Sequence, residues 1–267
     1  MEITKEPIIN IRNLRINFGE KQVLNGINLD VYRGQIIGYI GPNGAGKSTT
    51  IKILLGLIEG YTGEVRILGQ DISDGNIEYK KKIGYVPETA EIYDSLTARE
   101  YLTFIGELYG LDYEDVDQKA LKLMKIFGIE GVYDSRMTSY SKGMKQKVLI
   151  ISSLLHNPDI LFWDEPLSGL DANSVMIVKE ILSELMAQGK TIFYSSHIMD
   201  VVEKISNRII LIKNGQVAVD GSFDELKHRC KDGSLEDIFN ELTGFKEYKS
   251  IAEEFVSIVR GENDEGL

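Results

Sequence analysis

A glycine-rich loop near the amino terminus carries the clearest chemistry in this sequence. Residues 41–48 read Gly-Pro-Asn-Gly-Ala-Gly-Lys-Ser and match the phosphate-loop pattern G-x-x-x-x-G-K-[ST] at every fixed position. Its three glycines let the backbone curl so that N–H groups point at the β- and γ-phosphates. Lys47 adds a positive charge, and the Ser48 hydroxyl is a ligand for Mg²⁺. The loop therefore predicts a site for a nucleoside triphosphate with Mg²⁺.

The segments on either side of this loop have the form that a phosphate site needs. Residues 36–40 form an apolar run typical of a buried strand, and residues 49–57 carry apolar side chains at helical spacing. Phosphates held by the loop would meet the positive end of that helix. The alternative is a chance glycine-rich turn ahead of a helix, and the flanking strand and helix favour the phosphate site.

Two adjacent carboxylates, Asp164 and Glu165, follow the apolar run at 160–163. Such a run predicts a buried strand, and ligands of parallel sheets bind at the edge where the strands end. We expect Asp164 to hold Mg²⁺ through water beside Ser48, and Glu165 to polarise the water that attacks the γ-phosphate. The alternative, a solvated acidic pair at a strand end, is the weaker interpretation beside a phosphate loop.

Two further titratable residues stand at the ends of predicted strands. His197 follows the strand at 191–196, so its imidazole could contact the γ-phosphate and hold the attacking water. A structural histidine is the alternative. Glu88 follows the strand at 82–87; it either reaches Mg²⁺ or the water when the helical segment closes, or lies exposed. The sequence leaves both possibilities open for Glu88.

Residues 140–147, Tyr-Ser-Lys-Gly-Met-Lys-Gln-Lys, predict a second anion site. Ser141 is placed to cap the helix that runs to residue 155, and Gly143 lets the backbone come close to an anion. One chain has no evident need for two γ-phosphate sites. The pattern therefore indicates that this helix end serves a neighbouring molecule.

Strands are predicted on both sides of a helical segment. Residues 7–33 alternate apolar and polar side chains, which is typical of antiparallel strands, with turns near Gly19 and Gly26. After residue 160, strands alternate with helices, and Asn214-Gly215 marks a two-residue hairpin. Alternation around a phosphate loop predicts a largely parallel sheet with helices on both faces.

The helical segment runs from residue 96 to about 155. Thr97 and Glu100 form a capping-box pattern at its start. A second amphipathic helix face is predicted from Leu121, Met124, Lys125 and Phe127. The chain after residue 221 reads as helices, followed by an acidic tail at 261–267.

Composition and charge narrow the class of protein. The 267 residues are 43% hydrophobic and 27% charged, which is ordinary for a globular protein with a substantial core. The net charge of −11 argues against a nucleic-acid surface, which needs clustered lysine and arginine. The single cysteine, Cys230, excludes an intrachain disulfide framework and suits the cytosol. The sequence leads us to expect no signal peptide, and it contains no run near the ~18 apolar residues of a membrane span.

Taken together, the motifs resemble the nucleotide-binding subunit of an ATP-binding cassette (ABC) transporter from about residue 7 to 243. The Walker A loop matches at 41–48, Walker B at 160–164 and the D-loop at 168–171. The signature loop matches at Ser141 and Gly143, and the switch histidine falls on His197. The resemblance implies that Thr49 lies at the α-phosphate and that Phe18 stacks on adenine, although a core position for Phe18 is equally open.

The residue chemistry and the resemblance together assign the site. The expected catalytic residues are Glu165 and His197. The expected nucleotide-binding residues are Phe18, Gly41, Pro42, Asn43, Gly44, Ala45, Gly46, Lys47, Ser48 and Thr49. The residues expected at a partner's ATP are Ser141, Lys142, Gly143 and Asp171. The expected Mg²⁺ ligands are Ser48 and Asp164, with Glu88 as a further candidate.

The sequence departs from the family pattern at two motifs. Glu88 stands where the family has the Q-loop glutamine; it offers charge to Mg²⁺ but cannot donate a hydrogen bond. In the signature, Tyr140, Lys142 and Met144 replace leucine, glycine and glutamine, and Lys142 either adds charge near the γ-phosphate or faces solvent. These variants, with residues 234–239 and 241–244, resemble the ABC-2 subgroup of drug and bacteriocin exporters.

The resemblance implies an α/β fold: a P-loop NTPase (RecA-like) parallel-sheet core with an N-terminal antiparallel β subdomain and a helical insert at about 90–156. The expected domains are an ATPase domain at 1–245 and a C-terminal helical extension with an acidic tail at 246–267. The implied function is ATP hydrolysis that energises export through separate transmembrane permease subunits.

The implied assembly is a head-to-tail homodimer or heterodimer of ATPase subunits, without nucleic acid, with two ATP molecules at the seam. Its expected location is cytoplasmic, peripheral on the inner face of the cell membrane. One alternative is a soluble ABC ATPase without a transport role, although such proteins usually fuse two cassettes. Another is a non-hydrolysing regulatory module, against which Lys47, Asp164, Glu165 and His197 argue.

Overall fold

A computed structural model describes residues 6–90, 92–229, 233–244 and 248–260. The strands are β1 (Ile9–Phe18), β2 (Lys21–Val31), β3 (Ile36–Ile40), β4 (Thr62–Ile67), β5 (Gln70–Asp71), β6 (Ile83–Val86), β7 (Ile160–Asp164), β8 (Thr191–Ser195), β9 (Arg208–Lys213) and β10 (Gln216–Gly221). The helices are α1 (Lys47–Leu54), α2 (Ala98–Leu108), α3 (Tyr113–Ile126), α4 (Lys142–Leu154), α5 (Ala172–Ala187), α6 (Met199–Ile205), α7 (Phe223–Arg229), α8 (Leu235–Thr243) and α9 (Tyr248–Arg260). Cys230 and the acidic tail at 261–267 lie outside the described residues.

The larger sheet has six strands in the order β10-β9-β3-β8-β7-β6. Its pairs are parallel except for β10, which returns antiparallel to β9. Every residue of β3, β7 and β8 is buried, which explains why these strands read as continuous apolar runs. The predicted α/β fold with a parallel-sheet core is confirmed.

The smaller sheet is the predicted antiparallel subdomain, in the order β2-β1-β4-β5. The turn at Gly19 joins β1 to β2, but the turn predicted near Gly26 is wrong. Gly26 lies inside β2, at a shift in register where Leu14 faces Ile27 and Arg15 faces Asn25. A β-bulge accommodates one unpaired residue there without ending the strand.

The helical insert consists of α2, α3 and α4. The predicted capping box is present, since Thr97 accepts from the Glu100 backbone N–H and Glu100 accepts from Thr97. Leu121 was predicted on the buried face of α3, and that prediction is wrong because its side chain is exposed. The buried residues of α3 are Val116, Ala120 and Met124, which share one face toward the core.

The C-terminal helix α8 packs against both α6 and α7, and α9 follows it in the chain. Glu203 on α6 accepts a hydrogen bond of 3.0 Å from the Leu235 backbone N–H at the start of α8. Among the described residues, no helix combines the length and the apolar character that crossing a bilayer demands. The domain limits at 245 and 246 stay a prediction.

Candidate functional site

One edge of the larger sheet holds a cavity of about 280 Å³. Strands β3, β7 and β8 are parallel neighbours, so their carboxyl ends meet at this edge. The lining residues are Phe18, Lys21, Val23, Asn43, Gly44, Ala45, Gly46, Lys47, Ser48, Thr49, Glu88, Asp164, Glu165, Ser195 and His197. Walker A residues, both acidic residues and the histidine thus lie around a single space.

The phosphate loop connects β3 to α1 and is held in shape by close packing. Gly46 has φ +106°, and a Cβ added there would stand 2.4 Å from Leu24 Cδ2. A Cβ added at Gly41 would stand 2.3 Å from the Ile212 carbonyl oxygen. A side chain at Gly41 would have to displace the backbone of β9, and one at Gly46 would have to displace the Leu24 side chain and adopt a strained backbone conformation. The backbone N–H groups of the loop are therefore fixed around the N-terminus of α1, where an anion binds well.

Lys47 lies inside the loop with its amine on backbone oxygens. Its Nζ donates to the carbonyls of Gly41 (2.5 Å) and Pro42 (3.3 Å). Burial lowers the pKa of Lys47, and the nearby charges of Asp164, Glu165 and Glu88 oppose that shift. Bound phosphates would supply the negative charge that favours the protonated amine.

Asp164 ends β7 and is almost fully buried. It accepts a hydrogen bond from the Ser195 hydroxyl, which ends the neighbouring strand β8. Because its partner is a neutral hydroxyl, the carboxylate oxygens of Asp164 can still act as ligands for a hard cation. Its position beside Ser48 in the cavity lining fits the expected Mg²⁺ site.

Glu165 follows β7 with φ +48°, a left-handed conformation that is uncommon for a residue with a side chain. Its backbone N–H donates to the Ser195 carbonyl (3.0 Å), and its Oε2 accepts from Ser196 Oγ (3.2 Å). Burial raises the pKa of Glu165, whereas the facing imidazole of His197 lowers it. A raised pKa makes the carboxylate a stronger base, as a group that polarises water requires.

His197, Glu88 and Phe18 reach the cavity from its rim. His197 Nε2 lies 3.6 Å from Glu165 Oε1, and its side chain is 56% exposed. Glu88 is exposed and lines the cavity, and Phe18 lines it at the end of β1 with half of its surface exposed. Phe18 therefore does not occupy a core position, and its ring is available for stacking.

The residues expected at a partner's ATP lie outside this cavity. Ser141 caps α4 by accepting from the Met144 backbone N–H (3.2 Å). Asp171 caps α5 through Ser174, and Lys147 Nζ lies 3.1 Å from its Oδ2. Within the described part of the chain, the lining of the cavity contains neither of these residues, nor Lys142 nor Gly143.

Gly143 also has a packing role that its sequence context did not predict. A Cβ added there would stand 2.3 Å from the Gly169 carbonyl oxygen. The absence of a side chain at Gly143 therefore lets α4 pack against the loop after Glu165.

Sequence reasoning missed Lys21, Val23, Ser195 and Ser196. Ser195 donates a hydrogen bond to Asp164, and Ser196 donates one to Glu165. The pairing of β8 with β7 is the signal that could have predicted them, because polar residues at the end of a parallel neighbour lie beside the carboxylates. Lys21 and Val23 line the cavity from the start of β2. Lys21 and Val23 reach the cavity because the smaller sheet packs beside the larger one. Residue spacing along the sequence does not reveal that arrangement.

Comparison with known proteins identifies the family. A sequence profile described as ABC transporter matches residues 24–168. An uncharacterized ABC transporter ATP-binding protein of Methanocaldococcus jannaschii is 38% identical over 83% of this chain and 80% of that protein. A Nod factor export ATP-binding protein of Ralstonia nicotianae is 32% identical over 84% of this chain and 70% of its own length.

Solved structures agree. An ATP-binding subunit of an ABC transporter superimposes with a TM-score of 0.83 and 33% identity, over 88% of this chain and 99% of that one. A dimeric ATP-binding cassette in a post-hydrolysis state with ADP and Pi gives a TM-score of 0.74 and 26% identity, over 80% and 98%. The chain belongs to the ABC transporter family, in which it is an ATP-binding and ATP-hydrolysing subunit.

Proposed function

We propose that this chain hydrolyses ATP at the seam of a head-to-tail dimer and thereby drives export through separate transmembrane subunits. The observation that carries the proposal is the separation of two anion sites in one chain. The phosphate loop and its carboxylates surround one cavity, whereas the capped N-terminus of α4 lies outside it. A second copy could bring its α4 to the open side of the cavity and complete the site.

The chain's own residues divide the hydrolytic work. The loop amides and Lys47 hold the β- and γ-phosphates, and Phe18 stacks on the base. Glu165 orients and polarises the attacking water, with Ser196 fixing one of its carboxylate oxygens. His197, on the opposite side of that carboxylate, holds the water and the γ-phosphate in line.

Mg²⁺ fits the donor set of this cavity. Ser48 offers a hydroxyl and Asp164 a buried carboxylate, which are the hard oxygen ligands that Mg²⁺ prefers beside phosphate oxygens and water. When bound, the ion would neutralise charge on the β- and γ-phosphates. Glu88 lines the same cavity and is a further candidate ligand.

The dimer is proposed to consist of two copies of this chain, with a paralogue as the alternative partner. Each copy carries a complete phosphate-loop half and a complete α4 half, so two copies can complete both sites. The dimeric ADP- and Pi-bound relative supports this arrangement. Ser141 and Gly143 would face the partner's ATP, with Asp171 beside them. Lys142 would adjoin the same ATP with its amine bonded to Ser168.

The membrane connection is proposed to run through the helical insert near Glu88. Phe104 and Leu108 lie one turn apart on α2 and are 44% and 66% exposed, which places apolar surface on one face. Such a face fits a short helix of a permease subunit. The relative named for Nod factor export supports an exporter. Co-purification of the full chain with a polytopic membrane protein would support the proposal, and complete independence of membranes in cell fractionation would contradict it.

Phe18 supplies a test of how the base is held. Phe18→Ala should weaken ATP binding about tenfold because one aromatic ring no longer stacks on adenine. Phe18→Tyr, which keeps the ring, should bind like the wild type. Titration with a fluorescent ATP analogue measures both. Equal affinities for all three proteins would remove Phe18 from the site.

The pH dependence of hydrolysis tests Glu165 and His197 together. Glu165 must be ionised to polarise water, and burial raises its pKa, so kcat should fall as the pH is lowered through a value above the ordinary 4.5. His197 opposes that rise through its charge. His197→Gln should therefore move the acid limb of kcat to higher pH. A limb that stays in place or moves to lower pH would refute the coupling.

A further inference from the structure

The first turn of α4 is fastened to the loop that follows Glu165, residues 166–171. Lys142 Nζ donates a hydrogen bond of 2.8 Å to Ser168 Oγ. The aliphatic part of the same side chain lies over Gly169, since a Cβ added there would stand 3.2 Å from Lys142 Cγ. Gly169 also has φ +77°, which glycine adopts without strain. One lysine thus touches two successive residues of the loop.

Three further contacts follow on the same face of α4, at positions 143, 146 and 147. They are the close approach of Gly143 to the Gly169 carbonyl, the hydrogen bond from Gln146 Nε2 to the Pro166 carbonyl (3.1 Å) and the ion pair of Lys147 with Asp171 (3.1 Å). Gln146 is 1% exposed, so its bond to the loop is shielded from water. The contacts extend along the whole loop, from Pro166 to Asp171.

This attachment connects two half-sites that serve different ATP molecules. The loop begins directly after Glu165, which serves the chain's own cavity, whereas the N-terminus of α4 is the half proposed to face the partner's ATP. If the partner's phosphates displace α4, the loop would therefore move with it. Movement of the loop would in turn shift Glu165. Lys142 is the outermost contact and the one nearest to the cap at Ser141.

We propose that Lys142 is a positioning residue: it acts through Ser168 to make the N-terminus of α4 and the loop at 166–171 move together. Its amine is already bonded to that hydroxyl, so its contribution is the attachment and not a positive charge placed on the partner's phosphates. This inference rests on the head-to-tail dimer proposed above, and it specifies how the partner's ATP and Glu165 are connected.

A double-mutant cycle separates the attachment from a direct phosphate contact. The variants are Lys142→Met, Ser168→Ala and both together, with Ser168→Thr as the variant that keeps the hydroxyl and Lys145→Met as a control on the same helix. Steady-state ATP hydrolysis by the full chain gives kcat and KM. Hydrogen exchange of the backbone amides at 167–171 in the isolated chain measures the attachment without turnover.

If Lys142 acts through Ser168, each single variant should lower kcat about three- to tenfold with KM unchanged, and the double variant should lower it no further. Ser168→Thr and Lys145→Met should match the wild type. Amide exchange at 167–171 should become faster in both single variants.

A direct phosphate contact gives a different result. Lys142→Met would then raise KM while Ser168→Ala would not, and the two effects would add. Either finding overturns the proposal, as does unchanged amide exchange at 167–171. If the wild type itself shows no turnover, the proposed ATPase dimer fails, whereas the exchange data still decide whether Lys142 holds the loop.

Discussion

Glu165→Gln should bind ATP as tightly as the wild type, lose hydrolysis by at least about 100-fold and accumulate as an ATP-bound dimer. The amide keeps the shape of the side chain but no longer accepts a proton from water, which removes general-base assistance. Binding should persist because Lys47 and the loop amides are untouched. Without hydrolysis, the phosphates that join the two copies remain in place.

Turnover assays and sizing chromatography with light scattering in Mg-ATP measure these effects. Glu180→Gln, an exposed carboxylate on α5, is the matched control and should behave like the wild type. A Glu165→Gln protein that hydrolyses ATP normally would remove Glu165 from the chemistry. One that stays monomeric in saturating ATP would count against the head-to-tail site.

Lys47→Ala should weaken ATP binding by about 10- to 100-fold, because the phosphates lose a charge-assisted hydrogen bond inside the loop. The loss of affinity should be larger than for an exposed lysine. The Lys47 amine lies inside the loop on the Gly41 carbonyl, where burial lowers its pKa and bound phosphates would favour its charged form. Isothermal titration with ATP measures the affinity.

Lys52→Ala, an exposed lysine of α1 beyond the loop, serves as the control for this variant. Thermal melting should show that both variants remain folded, since Lys47 faces the ligand and Lys52 faces solvent. Equal ATP affinity for Lys47→Ala and the wild type would contradict the assignment of the loop.

The sequence predicted correctly those elements whose conformation depends on residues close together in the chain. The Thr97 and Glu100 capping box formed because both side chains bond backbone groups within one turn. Asn214 and Gly215 both adopt positive φ, as a two-residue hairpin requires. The parallel core followed from fully apolar strands such as β3 and β7.

Features that depend on tertiary contact were not predicted. Leu121 and Met124 both suit an amphipathic helix, and only the position of the neighbouring helices decides that Met124 is the buried one. The pairing of Lys147 with Asp171 joins residues on different elements, 24 positions apart. Gly143 likewise reveals its packing against Gly169 only once α4 and the loop are placed together.

The same distinction holds for the site. Residue types in the phosphate loop predict the ligand, whereas the half-site that we propose to complete it belongs to a second molecule. We therefore propose that Lys47 of one copy and Ser141 of another bind the same ATP.

Mixing two inactive variants shows whether two copies share an ATP site. Lys47→Ala and Ser141→Arg should each lack activity alone, and a mixed dimer contains one site in which both halves are intact. Mixing equal amounts should restore hydrolysis to about a quarter of the wild-type rate, if half of the dimers are mixed and each has one working site. A mixture no more active than the two chains measured separately would contradict the shared site.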